Sequence, residues 1–284
     1  MTHAALRSIA RLFQALPEPA ALRLGQNLGL FTHDILRIRR AQVDTALHQA
    51  FGNDCDHAKI RRANYAHYGT VLAEFLRLPT LSNKQLLQRF TITGLDHVKQ
   101  AQDEKKGLIV LTAHVGNWEY LAAAQAALDL DIAVITRHAH QKGVDRFWQE
   151  QRLNQGVKFL GNYRSLKSIV RHLRAGGSVG MSIDQNEGGT TGARVDFFNR
   201  EAGTVKAPAL LSARLNCPVI MALSWRDDHG HHHATFSEPI PLLEGPTLAD
   251  TVDRTTRHYN TLLEAFIREH PEQWTWVHRR WKPA

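Results

Sequence analysis

Two cysteines in 284 residues, Cys55 and Cys217, form neither a CxxC pair nor a disulfide framework. Their scarcity excludes a disulfide-stapled secreted scaffold and fits a reducing compartment, with both thiols expected as small core residues. No run approaches the ~18 consecutive apolar residues of a membrane span, and the N-terminus lacks the apolar core of a signal peptide. No serine or cysteine sits in a nucleophile elbow, which argues against an acyl-enzyme intermediate. The chain carries no helix-turn-helix, zinc-finger or RNP-type signature, so nucleic acid is not the expected partner of its basic excess. That excess is 35 Lys and Arg against 27 Asp and Glu, a formal +8. It points instead to an anionic membrane surface, a phosphorylated lipid or an acidic protein. The length suits one large α/β unit with a helical appendage.

The stretch Gly107 to Leu128, GLIVLTAHVGNWEYLAAAQAAL, organises the rest. Leu108 to Thr112 is short, uncharged and rich in branched side chains, the pattern of a strand buried on both faces. Asn117 is positioned to cap a helix beginning at Trp118. His114 lies between them, at a strand end, where ligands of open α/β sheets bind. Glu119, in the first helical turn, is favoured there by the helix dipole. A carboxylate accepting from one ring nitrogen makes the other a better proton acceptor, so His114 is the candidate general base and Glu119 its orienting partner. Gly116 is expected to leave room for substrate.

Toward the N-terminus, Leu6, Ile9, Ala10, Phe13 and Leu16 share a helical face beside Arg7 and Arg11, and Pro17 ends that helix. A second apolar segment, Ala20 to Ile38, is flanked by Arg37, Arg39 and Arg40. Both an interfacial anchor and ordinary packing fit this helical region, residues 1–80, which is expected to pack on an α/β core over 81–284. A helix from His57 to Leu78 spaces Tyr65, Tyr68, Leu72, Phe75 and Leu76 for the core or an acyl pocket. Ile132 to Thr136 reads as a strand and Gly143 to Gln155 as a helix. The helix ending at Arg174 is closed by Gly176 and followed by the strand SVGMSID, which delivers Asp184 and Gln185 to the sheet edge shared with His114. Thr204 is expected to cap a helix over 205–215, and Cys217 to Trp225 to form another buried strand. His229, His231, His232 and His233 fall in the turn and strand after it; an exposed hairpin is expected there rather than a metal site. A long helix covers Leu248 to Glu269.

Three motifs share one resemblance. His114-Val-Gly-Asn-Trp-Glu119 has the H-x4-D/E form of the glycerolipid acyltransferase superfamily. Asp184-Gln185 with Val195-Asp-Phe-Phe-Asn-Arg200 is similar to D-Q followed by F-F-G-x-P-A-x-T, with Asn199 and Glu201 in place of glycine and proline. Pro271-Glu-Gln-Trp-Thr-Trp-Val-His-Arg-Arg-Trp281 closely resembles P-E-Q-[WY]-x-W-x-H-x-R-[WF]. Together they resemble the lipid A late acyltransferases from about residue 20 to 282. The resemblance implies a mixed, largely parallel sheet flanked by helices, an α/β class. It implies acyl transfer from a thioester, that of acyl carrier protein or coenzyme A, to a hydroxyl of a glycolipid such as a lipid A precursor, with no metal or resident cofactor. It also implies a peripheral position on the cytoplasmic face of the inner membrane. By the same resemblance Arg137 faces the site, and Asp184 orients Arg137 or the acceptor. Gln185, Asn117, Phe197 and Phe198 complete the substrate-binding set, and Arg152 matches a family arginine. Other acceptors, such as a lysophospholipid, a mannosylated phosphoinositide or an aminolipid, and a non-catalytic membrane-binding protein, are the alternatives.

Overall fold

A computed structural model of the chain describes residues 2–136, 139–161 and 166–282. Helices α1 (His3–Ala15), α2 (Glu18–Asp34), α3 (Arg40–Phe51), α4 (His57–Arg77) and α5 (Asn83–Leu87) precede strand β1 (Phe90–Thr93). Then follow α6 (Leu95–Asp103), β2 (Leu108–Thr112), α7 (Trp118–Ala127), β3 (Ile132–Val134), α8 (Lys142–Leu153), β4 (Lys158–Phe159), α9 (Leu166–Arg174) and β5 (Ser178–Ser182). The chain continues through β6 (Gly192–Phe197), β7 (Arg200–Val205), α10 (Ala207–Leu215), β8 (Val219–Arg226), β9 (His232–Phe236) and α11 (Leu248–Glu269).

Seven strands form one sheet in the order β1-β9-β8-β2-β5-β3-β4, parallel except for the β8–β9 pair. The expected mixed, largely parallel α/β architecture is what the chain adopts. Because β2 is central, both of its faces are covered, which is why it reads as a continuous apolar run. Leu108 and Val110 join Val98 and Leu121 on one side, whereas Ile109 and Leu111 join Ile169, Leu211 and Leu263 on the other. Strand β1 and the helices α5 and α6 escaped the sequence reading, since β1 is an edge strand of only four residues without a clear apolar run.

Helix α7 starts where Asn117 predicts, its Oδ1 accepting from Tyr120 N at 2.9 Å. Helix α10 does not start at Thr204. That residue lies in β7, fully buried, where its hydroxyl accepts from Arg280. Residues Gly192 to Val205 form a two-stranded antiparallel hairpin, β6–β7, turned by Phe198 and Asn199 at φ 54° and 55°. Both central residues of such a turn need positive φ, and asparagine tolerates it, so Asn199 can stand where the family pattern has glycine. The histidine segment forms the β8–β9 hairpin. Among the described residues no group of three or more His, Cys, Asp or Glu is placed to hold a metal ion. Cys217 is buried and Cys55 half-buried, both free.

The N-terminal helices are part of the packed structure. Leu6, Ala10 and Phe13 of α1 are buried with Phe75, Leu76 and Phe147, so most of the apolar stripe of α1 faces protein, while Ile9 is exposed. Tyr65, Phe75 and Leu76 of α4 are likewise buried, while Leu72 is exposed. No helix among the described residues is long and apolar enough to cross a membrane. Helices α2 and α4 meet backbone to backbone through Gly25, Gly29 and Gly69. A Cβ at Gly69 would lie 2.1 Å from the Gly25 carbonyl oxygen. Gly69→Ala is therefore expected to force the helices apart and lower stability by about 1–3 kcal/mol, the cost of overpacking a close contact. Urea denaturation measures this, and unchanged stability would mean the helices separate freely.

Candidate active site

Parallel pairing of β2 with β5 sets Thr112 opposite Ser182. Two residues beyond each lie His114 and Asp184, and the shared offset brings them together. His114 Nδ1 donates to Asp184 Oδ1 at 2.9 Å, and its backbone N–H donates to Asp184 Oδ2, also at 2.9 Å. Trp274 Nε1 donates to the same Oδ2 at 3.1 Å. Burial alone pushes the Asp184 carboxyl up, but the charge of His114 and these hydrogen bonds outweigh it and hold the group at about 2. Burial pushes the imidazole the other way, down; the charge and hydrogen bond of Asp184, with the charge of Glu119, outweigh that and leave His114 above its ordinary 6.5. With Nδ1–H committed to the carboxylate, Nε2 carries the lone pair and lies 3.5 Å from the Gln185 amide nitrogen.

The orienting carboxylate is thus Asp184, not Glu119. Glu119 sits on α7 and faces α8, where Arg152 grips it with both ends of its fork: Nε to Oε2 at 2.7 Å and Nη2 to Oε1 at 2.6 Å. Trp118 Nε1 adds a third donor at 3.2 Å. An arginine fork occupies both carboxylate oxygens and draws the group away from the imidazole. The charge of Glu119 still reaches His114.

A cavity of about 190 Å³ opens beside these groups, between α7 and strands β2, β5, β3 and β4. His114, Glu119, Arg152 and Gln185 are among its polar lining, and Val110, Leu121, Val134, Val157 and Phe159 among its apolar lining. Trp118 also borders it, its ring edge-on to His114 with centroids 5.1 Å apart. The floor includes Gly180, where a Cβ would meet Ile132 and Val134 at ordinary contact distance.

Of the other sequence-derived site residues, Gln185 lines the cavity, and Arg137 lies outside the described residues. Asn117 is not at the cavity. It is fully buried behind it, capping α7 and donating to Glu74 Oε2 at 2.8 Å. Burial pushes the Glu74 carboxyl up, but His232 and Arg226 beside it, together with this hydrogen bond, bring it to about 2. Phe197 and Phe198 do not wall the cavity either. The β6–β7 turn carries them into the core, against Trp274, Trp281 and Phe51. Gly116 has φ +58°, and a Cβ there would lie 2.0 Å from Ser224 O, so its missing side chain admits the β8 backbone rather than a substrate.

The closing segment, expected mainly to pack, also supports the site. Thr275 N and Oγ1 donate to the His114 carbonyl at 3.2 and 2.7 Å, and Gly116 N donates to Gln273 O at 3.0 Å. Tyr68 OH lies 2.7 Å from Thr275 Oγ1. His278, pushed down to about 4 chiefly by burial, accepts from Asn186 N at 2.8 Å, in the loop after Gln185. Only the spacing of His114 and Asp184 from the ends of their strands signalled their pairing, and that signal needs the strand order.

An imidazole held by a buried carboxylate, next to a cavity with polar and apolar walls, defines a site for proton transfer to or from a substrate with an apolar portion. The model of the bacterial lipid A biosynthesis acyltransferases matches residues 4–283, and the chain belongs to that family. It is an acyltransferase. It is 23% identical over 276 residues to the lipid A biosynthesis palmitoleoyltransferase of Escherichia coli (strain K12), covering 95% of this chain and 88% of the relative. Against the lipid A biosynthesis lauroyltransferase of the same organism it is 24% identical over 270 residues, 94% and 87% of the two chains. It is 21% identical over 224 residues to the phosphatidylinositol mannoside acyltransferase of Mycobacterium tuberculosis (strain ATCC 25618 / H37Rv), 77% and 69% of the two.

Glu119→Ala strands a mostly buried guanidinium and is expected to destabilise the fold by roughly 3 kcal/mol. The double variant Glu119→Leu/Arg152→Met loses less, because it removes both charges. Urea denaturation of both variants against the parent chain tests this, and equal losses in the two would assign the cost to packing.

Proposed function

We propose that this chain transfers a fatty acyl group from a thioester to a hydroxyl of a glycolipid of the lipid A precursor type, with His114 as general base. The observation that carries the reading is the His114–Asp184 pair beside a cavity with an apolar floor. The acceptor O–H would donate to His114 Nε2 and lose its proton there as the oxygen attacks the thioester carbonyl. That attack forms the ester C–O bond; collapse of the tetrahedral intermediate restores the carbonyl and breaks C–S, and the departing thiolate takes the proton back from Nε2. Asp184 stays ionised throughout and stabilises the imidazolium between the two transfers. Arg152 and Gln185 are the cationic and amide donors bordering the reacting centre. Valine, leucine and phenylalanine side chains would receive the start of the acyl chain. The formal +8 favours an anionic donor, acyl carrier protein in our reading, with coenzyme A as the other choice. The match to a phosphatidylinositol mannoside acyltransferase supports a mannosylated phosphoinositide as the second acceptor to test.

Membrane contact belongs to the same proposal. With Leu6, Ala10 and Phe13 of the α1 stripe buried, the apolar surface that supports it is the end of α2 and the turn after it. There Phe31, Ile35, Leu36 and Ile38 are 48–67% exposed beside the exposed Arg37 and Arg39. Inserted apolar side chains flanked by arginines suit an anionic lipid surface. Arg39 also donates to Val277 O, close along the chain to Thr275, which holds the His114 backbone.

Purified full-length protein given acyl carrier protein thioester and a lipid A precursor should yield an acylated lipid by mass spectrometry. His114→Ala should cut the rate by about two orders of magnitude or more. Because a base works unprotonated and His114 is raised, kcat/KM should fall as pH drops through a value above 6.5. Asp184→Asn removes the negative charge, moving that limb to lower pH while reducing the plateau. Full activity of His114→Ala would end the reading. In vesicle flotation, Phe31→Ser/Ile35→Ser should weaken binding to anionic vesicles by about tenfold or more, as should added salt. Unchanged flotation would remove this surface from the proposal.

A further inference from the structure

We propose that Trp274 is a positioning residue for the His114–Asp184 pair, its indole N–H holding the second oxygen of the carboxylate so that the first stays aligned on the imidazole. The carboxylate has two oxygens and three donors. Among the described residues, Oδ1 takes His114 Nδ1–H alone, while Oδ2 takes the His114 backbone N–H and the indole. Without the indole, the backbone contact alone would anchor Oδ2, and the carboxylate could turn about its Cβ–Cγ bond.

The surroundings fit this use. Trp274 is 1% exposed and packed edge-on against Trp276 and Phe197, with centroids 4.6 and 5.5 Å away. Its carbonyl accepts from Asn64 Nδ2 at 2.8 Å, and it pairs across a β-bridge with Val115, the residue after His114. The ring therefore has little freedom, and a rigid donor directs its acceptor. Packing alone would be served by phenylalanine; the N–H aimed at Asp184 is what tryptophan adds.

A donor to a carboxylate also draws off part of its negative charge and weakens its pull on the neighbouring Nδ1–H, most of all where water is excluded. Removing the indole N–H should therefore raise the His114 pKa further. Among the described residues, the charged and titratable groups that act on the pair from outside include Glu119 on α7, Arg152 on α8, Tyr68 on α4, and His278 and Arg280 from the closing segment. None of these is altered by a change confined to the Trp274 N–H.

The kinetic side of this inference rests on His114 acting as the base, and the test separates the two. NMR titration of the His114 ring in the full chain reads its pKa, and the pH profile of kcat/KM reads the working base. Trp274→Phe should raise the ring pKa by roughly half a pH unit, a fraction of the effect of one hydrogen bond to a charged group. The kinetic limb should move up with it. Replacing Trp274 by benzothienylalanine, which keeps the bicyclic shape without the N–H, should do the same, and covers the case in which phenylalanine packs too poorly to fold. Trp276→Phe serves as the control. Its indole donates to Pro271 O at 2.6 Å and lies in the same aromatic cluster, so the His114 titration should not move. An unmoved ring pKa in both Trp274 variants, or an equal shift in Trp276→Phe, overturns the inference. A raised ring pKa with an unmoved kinetic limb upholds the action of the indole on the pair through Asp184 and overturns His114 as the base.

Discussion

A carboxylate buried almost completely and kept ionised is the constraint on which the site depends. Asp184 loses its hydration at the end of β5, and the loss is offset by three donors and the positive character of His114. Those donors come from two distant parts of the chain, the turn after β2 and the closing segment. The fold must bring both to one point, and several features follow from that requirement. Strand β2 pairs with β5 in the register that sets Thr112 opposite Ser182, and Gly116 lets the next turn lie on β8. The chain after α11 runs back across the sheet edge to place Trp274 and Thr275.

The second buried charge pair has a different task. Glu119 and Arg152 join α7 to α8 beside the cavity, so the two helices that flank it are tied by a fork of two hydrogen bonds. Such a pair adds little net stability over an apolar contact, yet breaking one half is costly. It therefore acts more as a fixed geometry than as a source of stability. It also leaves a guanidinium and a carboxylate at a cavity wall that is otherwise partly apolar, which suits a substrate with a charged head and a hydrocarbon tail.

The N-terminal helices illustrate how one sequence pattern serves either of two surfaces. The α1 stripe of Leu6, Ala10 and Phe13 has the periodicity of an interfacial helix, but α4 and α8 offer an apolar surface that covers it. The end of α2 has no such cover. Phe31, Ile35, Leu36 and Ile38 therefore remain exposed beside arginines although their local pattern is less regular.

Strand β2, the start of α7 at its Asn117 cap, α11 over Leu248–Glu269 and the αβ rhythm through β8 were determined by the sequence itself. Each depends on local periodicity, capping and turn chemistry. The family was legible too, since the closing signature and the H-x4-E motif are contiguous strings. Contacts made across the sheet were not legible. The acid five residues from His114 appeared to be its partner, whereas the one seventy residues away is. Strand order and register decide that, and neither is written in local periodicity. Tertiary structure likewise withdrew Asn117, Phe197 and Phe198 from the substrate surface into caps and core, and made Trp274 a donor to the central carboxylate. A side chain's type is set locally, but which buried polar atom it must satisfy is decided only when distant segments close around that atom and exclude water.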